Sequence, residues 1–301
     1  MKVLVIGYGS IGKRHVEVLQ DLGYKVFIVS RHIKLPNSFI SLEIALSCEK
    51  FDYIIIANET KLHKNIIDKL NEMNYNGIVM SEKPLVSNFE TINNKVITYV
   101  GYNLRFHPMI QELKLLIKDE QVINVNSYVG QYLPTWRPET DYSKSYSASV
   151  SEGGGVIRDL SHELDYLIYL FGNWVELCAQ KGKRSDLKIE SEDYCQIIFK
   201  SKLNIPISLE LNYLDRITQR YLIIQTNTKT IRADFIANEI KINNEIIILP
   251  KIHRNYTYIE QHKSILNNEG QACTFEEGLE VVKMIDAIEL SAERKEWVTN
   301  E

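Results

Sequence analysis

Cysteine is scarce in this chain. Its 301 residues hold four, Cys48, Cys178, Cys195 and Cys273, widely scattered and with no Cys-x-x-Cys spacing. That usage argues against a structural zinc or other metal site and for reduced thiols in the cytoplasm. No apolar run approaches the ~18–20 residues a membrane span needs, and the N-terminus reads as a strand rather than a signal peptide. A basic run interleaved with aromatics is also missing. Lys+Arg 35 against Asp+Glu 39 gives a net charge of −4. Nucleic acid is therefore not an expected partner, and neither is a membrane. Internal repeats and low-complexity tracts are absent too.

What is present is ordinary for a soluble globular protein, 45% hydrophobic and 25% charged, at a length that suggests about two domains. Residues 2–6 form an apolar strand that runs into Gly7-Tyr8-Gly9-Ser10-Ile11-Gly12, and a helix opens at about residue 10. Strand, Gly-x-Gly-x-x-Gly and helix together are the dinucleotide-binding fingerprint. Gly7 permits the tight turn, Gly9 lets the backbone approach a pyrophosphate, and Gly12 lets helix and strand pack closely. The helix N-terminus offers its unpaired N–H groups to the phosphates.

Strand and helix alternate over the first hundred residues, with strands near 25–29, 51–57, 77–81 and 96–102 and helices near 41–49, 60–73 and between the last two strands. This predicts an α/β doubly wound parallel sheet over residues 1–120. Beyond it come a strand near 121–131, a helix at about 158–171, successive strands from 174 to 249, and helices near 254–268 and 275–292. Residues 121–301 are expected to form an α+β domain around a large, mostly antiparallel open sheet.

Two segments carry candidate chemistry. Ser81-Glu82-Lys83-Pro84 follows the fourth strand, at the sheet end where ligands of such folds bind. A lysine beside a cationic nicotinamide in a dry site has a lowered proton affinity and suits exchange with a substrate hydroxyl. The second segment is Gly153-Gly154-Gly155 followed by the helix. There Leu160, Leu164, Leu167, Ile168 and Phe171 make the core stripe, while Asp159, His162, Glu163 and Tyr166 share another face. Four hydrogen-bonding groups behind three glycines read as an active-site wall.

The fingerprint, Glu82-Lys83-Pro84, Gly101-Tyr102-Asn103-Leu104-Arg105-Phe106 and the triple-glycine helix occur in this order. Together they resemble the glucose–fructose oxidoreductase / inositol dehydrogenase (Gfo/Idh/MocA) family over essentially the whole chain. The resemblance implies a Rossmann domain, a nicotinamide cofactor, a sugar-like alcohol as substrate, and a homo-oligomer (dimer or tetramer) built through the open sheet. It makes Lys83 the match to the family's catalytic lysine and Asp159 the match to the first aspartate of Asp-x-x-x-His-x-x-Asp. His162 comes one position early, and Glu163 stands where the histidine is expected. Either could be the second proton-transfer group, and His162 is favoured because an imidazole titrates near neutrality. By the same resemblance Ala57, Asn58, Thr60 and His63 flank the cofactor with Glu82 and Lys83.

Asn103 and Arg105 are candidate substrate or nicotinamide contacts. The loop Gly130–Pro138, with Tyr142 and Tyr146 after it, resembles a branch associated with bacterial surface-polysaccharide biosynthesis. Trp136 would stack on a sugar, and Arg137 would pair with a carboxylate or phosphate, unless this loop is an arm across a subunit interface. Ser30-Arg31-His32 ends the second strand with no carboxylate, so Arg31, with Arg14 as a candidate helper, favours NADP over NAD. Two other functions remain open: transient redox during epimerisation, elimination or glycoside hydrolysis, and dinucleotide sensing without turnover.

Overall fold

The computed structural model describes residues 1–31 and 35–300. His32, at the end of the second strand, lies outside them. The first 106 residues give β1 (Lys2–Ile6), α1 (Ser10–Asp21), β2 (Lys25–Val29), β3 (Ser38–Phe39) and α2 (Leu42–Cys48). They continue with β4 (Tyr53–Ile56), α3 (His63–Glu72), β5 (Ile78–Ser81) and β6 (Ile97–Val100). Next come α4 (Pro108–Ile117), β7 (Val122–Gly130), α5 (Val156–Asp159), α6 (His162–Phe171), β8 (Trp174–Gly182) and β9 (Tyr194–Ser201). Then follow β10 (Pro206–Asn212), β11 (Gln219–Thr226), β12 (Thr230–Asp234), β13 (Glu239–Ile242) and β14 (Glu245–Ile248). The chain closes with α7 (Tyr256–Asn267), β15 (Cys273–Thr274), α8 (Phe275–Arg294) and β16 (Val298–Thr299). Two compact units result: residues 1–106 with 253–282, and residues 107–252 with 283–301.

The first unit is a doubly wound sheet of order β15-β6-β5-β4-β1-β2-β3. All pairs are parallel except β15 on β6. From β1 the chain winds one way to β3 and from β4 the other way to β6, so the strand order reverses between β1 and β4. Ligands bind at that reversal, beyond the carboxyl ends of the strands. Every residue of β4 is buried, as its unbroken apolar run requires of a parallel strand covered on both faces. The core gathers Val3, Val5, Leu19, Ile28, Ile55 and Met80, with Ile265 of α7 among them. A single cut near residue 120 does not describe this division: α4 groups with the second unit, and α7 returns to the first.

The second unit carries a sheet of order β14-β13-β12-β11-β7-β10-β9-β8-β16. Only the β7–β10 pair is parallel. Alternating burial along β9 marks one packed face and one open face. Hairpin turns fall at 227–229 and 243–244, and Asn243 takes the left-handed conformation (φ 52°) that asparagine tolerates. Thr274 and Glu277 form the expected capping box. The Glu277 amide donates to Thr274 Oγ1 at 3.2 Å and the Thr274 amide to Glu277 Oε2 at 2.9 Å.

Two expected elements differ. No helix forms between β5 and β6, where Ser87, Asn88, Asn93 and Asn94 offer the backbone local alternatives. Asn94, for example, donates its side-chain amide to the Val96 carbonyl at 2.8 Å. The helix expected over 158–171 is two helices. Ser161 N–H reaches back to Arg158 and Glu163 N–H to Leu160, three residues each, so the regular ladder breaks between α5 and α6. Asp159 and Glu163 therefore do not share one continuous face.

Candidate functional site

In the first unit the glycine turn bridges β1 and α1. Gly7 holds φ +98°, and a Cβ there would stand 2.6 Å from the Ala57 carbonyl oxygen. A Cβ on Gly12 would stand 2.1 Å from the Gly7 carbonyl oxygen, while one on Gly9 would meet nothing within 4 Å. The turn is thus closed on its protein side and open over Gly9. α1 starts at Ser10 with no side-chain cap and no acid in its first turn, and Ile11 follows half-buried. Those N–H groups and the positive end of the dipole suit an anion. Beside the turn, Asn58 Oδ1 is buried with no hydrogen-bond partner among the described residues. An open glycine, an uncapped helix start and an unsatisfied carbonyl oxygen fit a dinucleotide with pyrophosphate over Gly9. Tyr8 carries Lys13 5.6 Å above its ring. Arg14 leans on Tyr258, its guanidinium 5.1 Å from the ring, and Arg31 is exposed beside Ser30 at the end of β2.

The Glu-Lys-Pro loop leaves the carboxyl end of β5. Glu82 is buried, and its Oε1 lies 2.8 Å from His15 Nε2. Behind the loop, His63 is 1% exposed. Its Nδ1 lies 3.2 Å from each of the Pro84 and Leu85 carbonyls and from Ser81 Oγ, and its Nε2 3.1 Å from the Asn58 carbonyl. Burial lowers its proton affinity, so the ring is a neutral clamp between the β4 and β5 ends. Thr60 opens the short turn before it. Asn103 and Arg105, expected as substrate or nicotinamide contacts, are turned to the protein. Asn103 donates to Thr257 Oγ1 at 2.7 Å, and Arg105, 1% exposed, pairs with Glu277 at 2.7 Å. Both tie this unit's two chain segments together.

In the second unit Asp159 is 7% exposed and accepts a 2.6 Å hydrogen bond from Tyr213. Burial and the Asp159 charge push both the Tyr213 and Tyr146 phenols well above the usual tyrosine range, Tyr146 also bonding the carboxylate. Tyr146 keeps its ring half exposed while its hydroxyl turns inward. Trp136 packs edge-on against Tyr213 at 5.2 Å, Arg137 is exposed, and Tyr142 accepts the Lys188 amide at 3.3 Å. The triple glycine admits the protein itself. A Cβ on Gly154 would strike the Tyr146 carbonyl at 2.1 Å, and one on Gly155 the Glu192 carboxylate at 2.2 Å. Glu163 is 0% exposed and ion-paired with Arg220 of β11 at 2.7 Å, while His162 is half-buried. The pair fixes α6 on the sheet.

Two family models match consecutive stretches: an oxidoreductase family with an NAD-binding Rossmann fold over residues 1–106, and the GFO/IDH/MocA C-terminal domain over residues 110–231. The chain belongs to the Gfo/Idh/MocA family. It is an NAD-binding oxidoreductase of that family. No curated protein sequence matches it. Its fold is shared with an Agrobacterium radiobacter oxidoreductase solved with NAD+, L-tartaric acid and magnesium (TM-score 0.85, 16% identity, 99% of this chain and 98% of that one). It is shared too with the WlbA dehydrogenase of Bordetella pertussis solved with NADH and UDP-GlcNAcA (0.80, 18%, 100% and 98%). A levoglucosan dehydrogenase solved with NADH is a third (0.85, 17%, 99% and 98%). At these identities the likeness is one of fold. No helix among the described residues is long and apolar enough to cross a membrane.

Sequence reasoning missed Tyr213, Arg220, Glu192 and His262 in this Gfo/Idh/MocA chain. Tyr213 lies 54 residues from the carboxylate it holds, so no local spacing could have linked them. His15 offered a weak signal: it sits inside the fingerprint helix on its buried side, beside Val16, Val18 and Leu19, where a polar ring needs a buried partner.

Proposed function

We propose that this protein moves hydride between a nicotinamide dinucleotide and a carbinol carbon of a sugar or sugar derivative. The observation that carries the reading lies in the first unit: an open, uncapped glycine turn at the strand-order reversal, with Lys83 leaving the carboxyl end of β5 of the same sheet. The dinucleotide, when bound, supplies the hydride acceptor or donor. Gly7, Gly9 and Gly12 seat its pyrophosphate with the α1 amides, and Asn58 offers it an acceptor. Lys83 exchanges the hydroxyl proton. His63 holds the loop that carries it. In the second unit Asp159 and His162 bind the substrate, with His162 as the further proton-transfer group, since Glu163 is engaged by Arg220. Trp136, half-buried and edge-on to Tyr213, presents a ring for stacking, and Arg137 suits a carboxylate or phosphate.

The same loop supports a nucleotide-activated or nonulosonic-acid-type sugar as substrate and a place in bacterial surface-polysaccharide synthesis. The UDP-GlcNAcA held by the Bordetella protein agrees with that substrate class. For the cofactor, Arg31 at the end of β2, with no carboxylate beside it, supports a preference for NADP, although the relatives above carry NAD+ or NADH. The open sheet supports a homo-oligomer, because Ile198, Ile246 and Ile248 are 51%, 56% and 77% exposed on it.

The experiment is a screen of free, acidic and nucleotide-linked sugars with NAD and NADP, read by cofactor absorbance and by product analysis. The reading expects substrate-dependent reduction with kcat/KM higher for NADP. New products without any absorbance change would replace net dehydrogenation by transient redox. Dinucleotide binding without any product would make the protein a sensor. Light scattering showing a monomer would contradict the oligomer.

A further inference from the structure

A file of buried side chains runs from the Glu-Lys-Pro loop into the interior of the first unit. Glu82 Oε1 lies 2.8 Å from Nε2 of His15 on α1. Nδ1 of His15 lies 2.9 Å from Nε2 of His262 on α7, and Nδ1 of His262 lies 3.0 Å from the Tyr53 hydroxyl at the start of β4. His15, His262 and Tyr53 are each 0% exposed. Three separate elements therefore converge on one carboxylate, with every ring nitrogen engaged.

Proton counting gives the file a direction. Its three gaps need three bridging protons, and two neutral imidazoles and one phenol supply that number when Glu82 is a carboxylate. Only one orientation places them all. Tyr53 donates to His262 Nδ1, His262 Nε2–H donates to His15 Nδ1, and His15 Nε2–H donates to Glu82. Each bond then polarises the next toward the carboxylate. Burial pushes His262 well below the ordinary histidine range, which keeps its ring neutral as the arrangement needs. The other titratable or charged groups around the file are Tyr258, edge-on to His15 at 5.6 Å, Arg14 against Tyr258, and Tyr24, Tyr75 and Tyr99 near Tyr53. At its open end the carboxylate fills the space of a missing side chain: a Cβ on Gly101 would come within 2.7 Å of Oε1. Its Oε2 accepts the Lys83 backbone amide at 3.3 Å.

We propose that Tyr53, His262 and His15 are positioning residues for Lys83: they hold Glu82 in one place, and Glu82 fixes the backbone from which the lysine projects. Tyr53 is sealed in the core, so the file orients and does not conduct protons to solvent. The role given to Lys83 rests on the oxidoreductase reading; the proton arrangement does not.

The first test is nitrogen-15 NMR of the histidine rings in the intact wild-type protein at pH 8, with His15→Gln and His262→Gln giving assignments. Both rings are expected in the Nε2–H form, and either ring in the Nδ1–H form overturns the relay. No substrate is needed, so failure of the sugar reading leaves this result standing. The second test uses the substrate found by the screen. His262→Leu should lower kcat roughly ten- to a hundredfold, the range for groups that orient a primary residue, with KM for the dinucleotide within about twofold. It should also shift the pH profile of kcat. His262→Gln keeps a donor toward His15 and should recover most of the loss. Unchanged kcat in the leucine variant, or equal losses in both, overturns the positioning role. Tyr53→Phe keeps the packing and removes only the terminal donor, so it carries the same kinetic test if the leucine variant does not fold.

Discussion

Gly9 and Gly12 are three residues apart in one turn, yet they answer to different constraints. Gly12 is pressed against the Gly7 carbonyl, whereas the space over Gly9 is open. Gly12→Ala should therefore destabilise the fold by about 1–3 kcal/mol through overpacking. Gly9→Ala should leave stability within about 0.5 kcal/mol, as expected where nothing is displaced, while weakening dinucleotide binding roughly tenfold. Thermal unfolding and NADH fluorescence titration separate the two effects. Glu163 and His162 divide in the same way. Glu163→Ala strands the Arg220 charge and should cost about 3–5 kcal/mol. His162→Ala should leave stability nearly unchanged and lower kcat on the substrate found by the screen. A stable, slow Glu163→Ala variant beside a fast His162→Ala variant would reverse the assignment. Spacing alone could nominate both residues. It could not choose between them, because the choice depends on Arg220, 57 positions away across the sheet.

The elements most legible in the sequence were those with a period and a punctuation. β1 with its glycine turn, the apolar β4 and the capped α8 stand where pattern put them, since strand burial and capping act over a few residues. The break between α5 and α6 was hidden, because no proline or glycine marks it. At the start of α4 lies a testable device. His107 is the N-cap, its Nδ1 accepting the Met109 amide at 3.1 Å. Burial and the Arg220 charge hold its proton affinity down, at a pKa of about 4. The native state therefore resists a proton that the unfolded chain takes up near 6.5, and stability is full above 6.5 and falls as pH drops toward 4. Over pH 7 to 5 this group should cost about 1–2 kcal/mol. His107→Asn keeps a capping acceptor that does not titrate, and urea unfolding should show a pH dependence shallower by that amount. An identical slope in both proteins would remove His107 from the account.

At the scale of the molecule, alternating strand and helix sufficed to announce a doubly wound unit followed by a sheet-rich one. The return of α7 to the first unit was not legible. Its contribution is a set of polar side chains, Thr257, His262 and their neighbours, that meet Asn103, His15 and Tyr53 only after folding. Contacts of that range leave no periodic trace.

The central claim is that Lys83 carries the proton in a nicotinamide-dependent reaction. Lys83→Met tests it most directly, with single-turnover hydride transfer and dinucleotide affinity measured on the same preparation. The account predicts affinity within about twofold of wild type and transfer slowed roughly a hundredfold or more, as for loss of a general acid–base group. Transfer at the wild-type rate, with the cofactor fully bound, would contradict it.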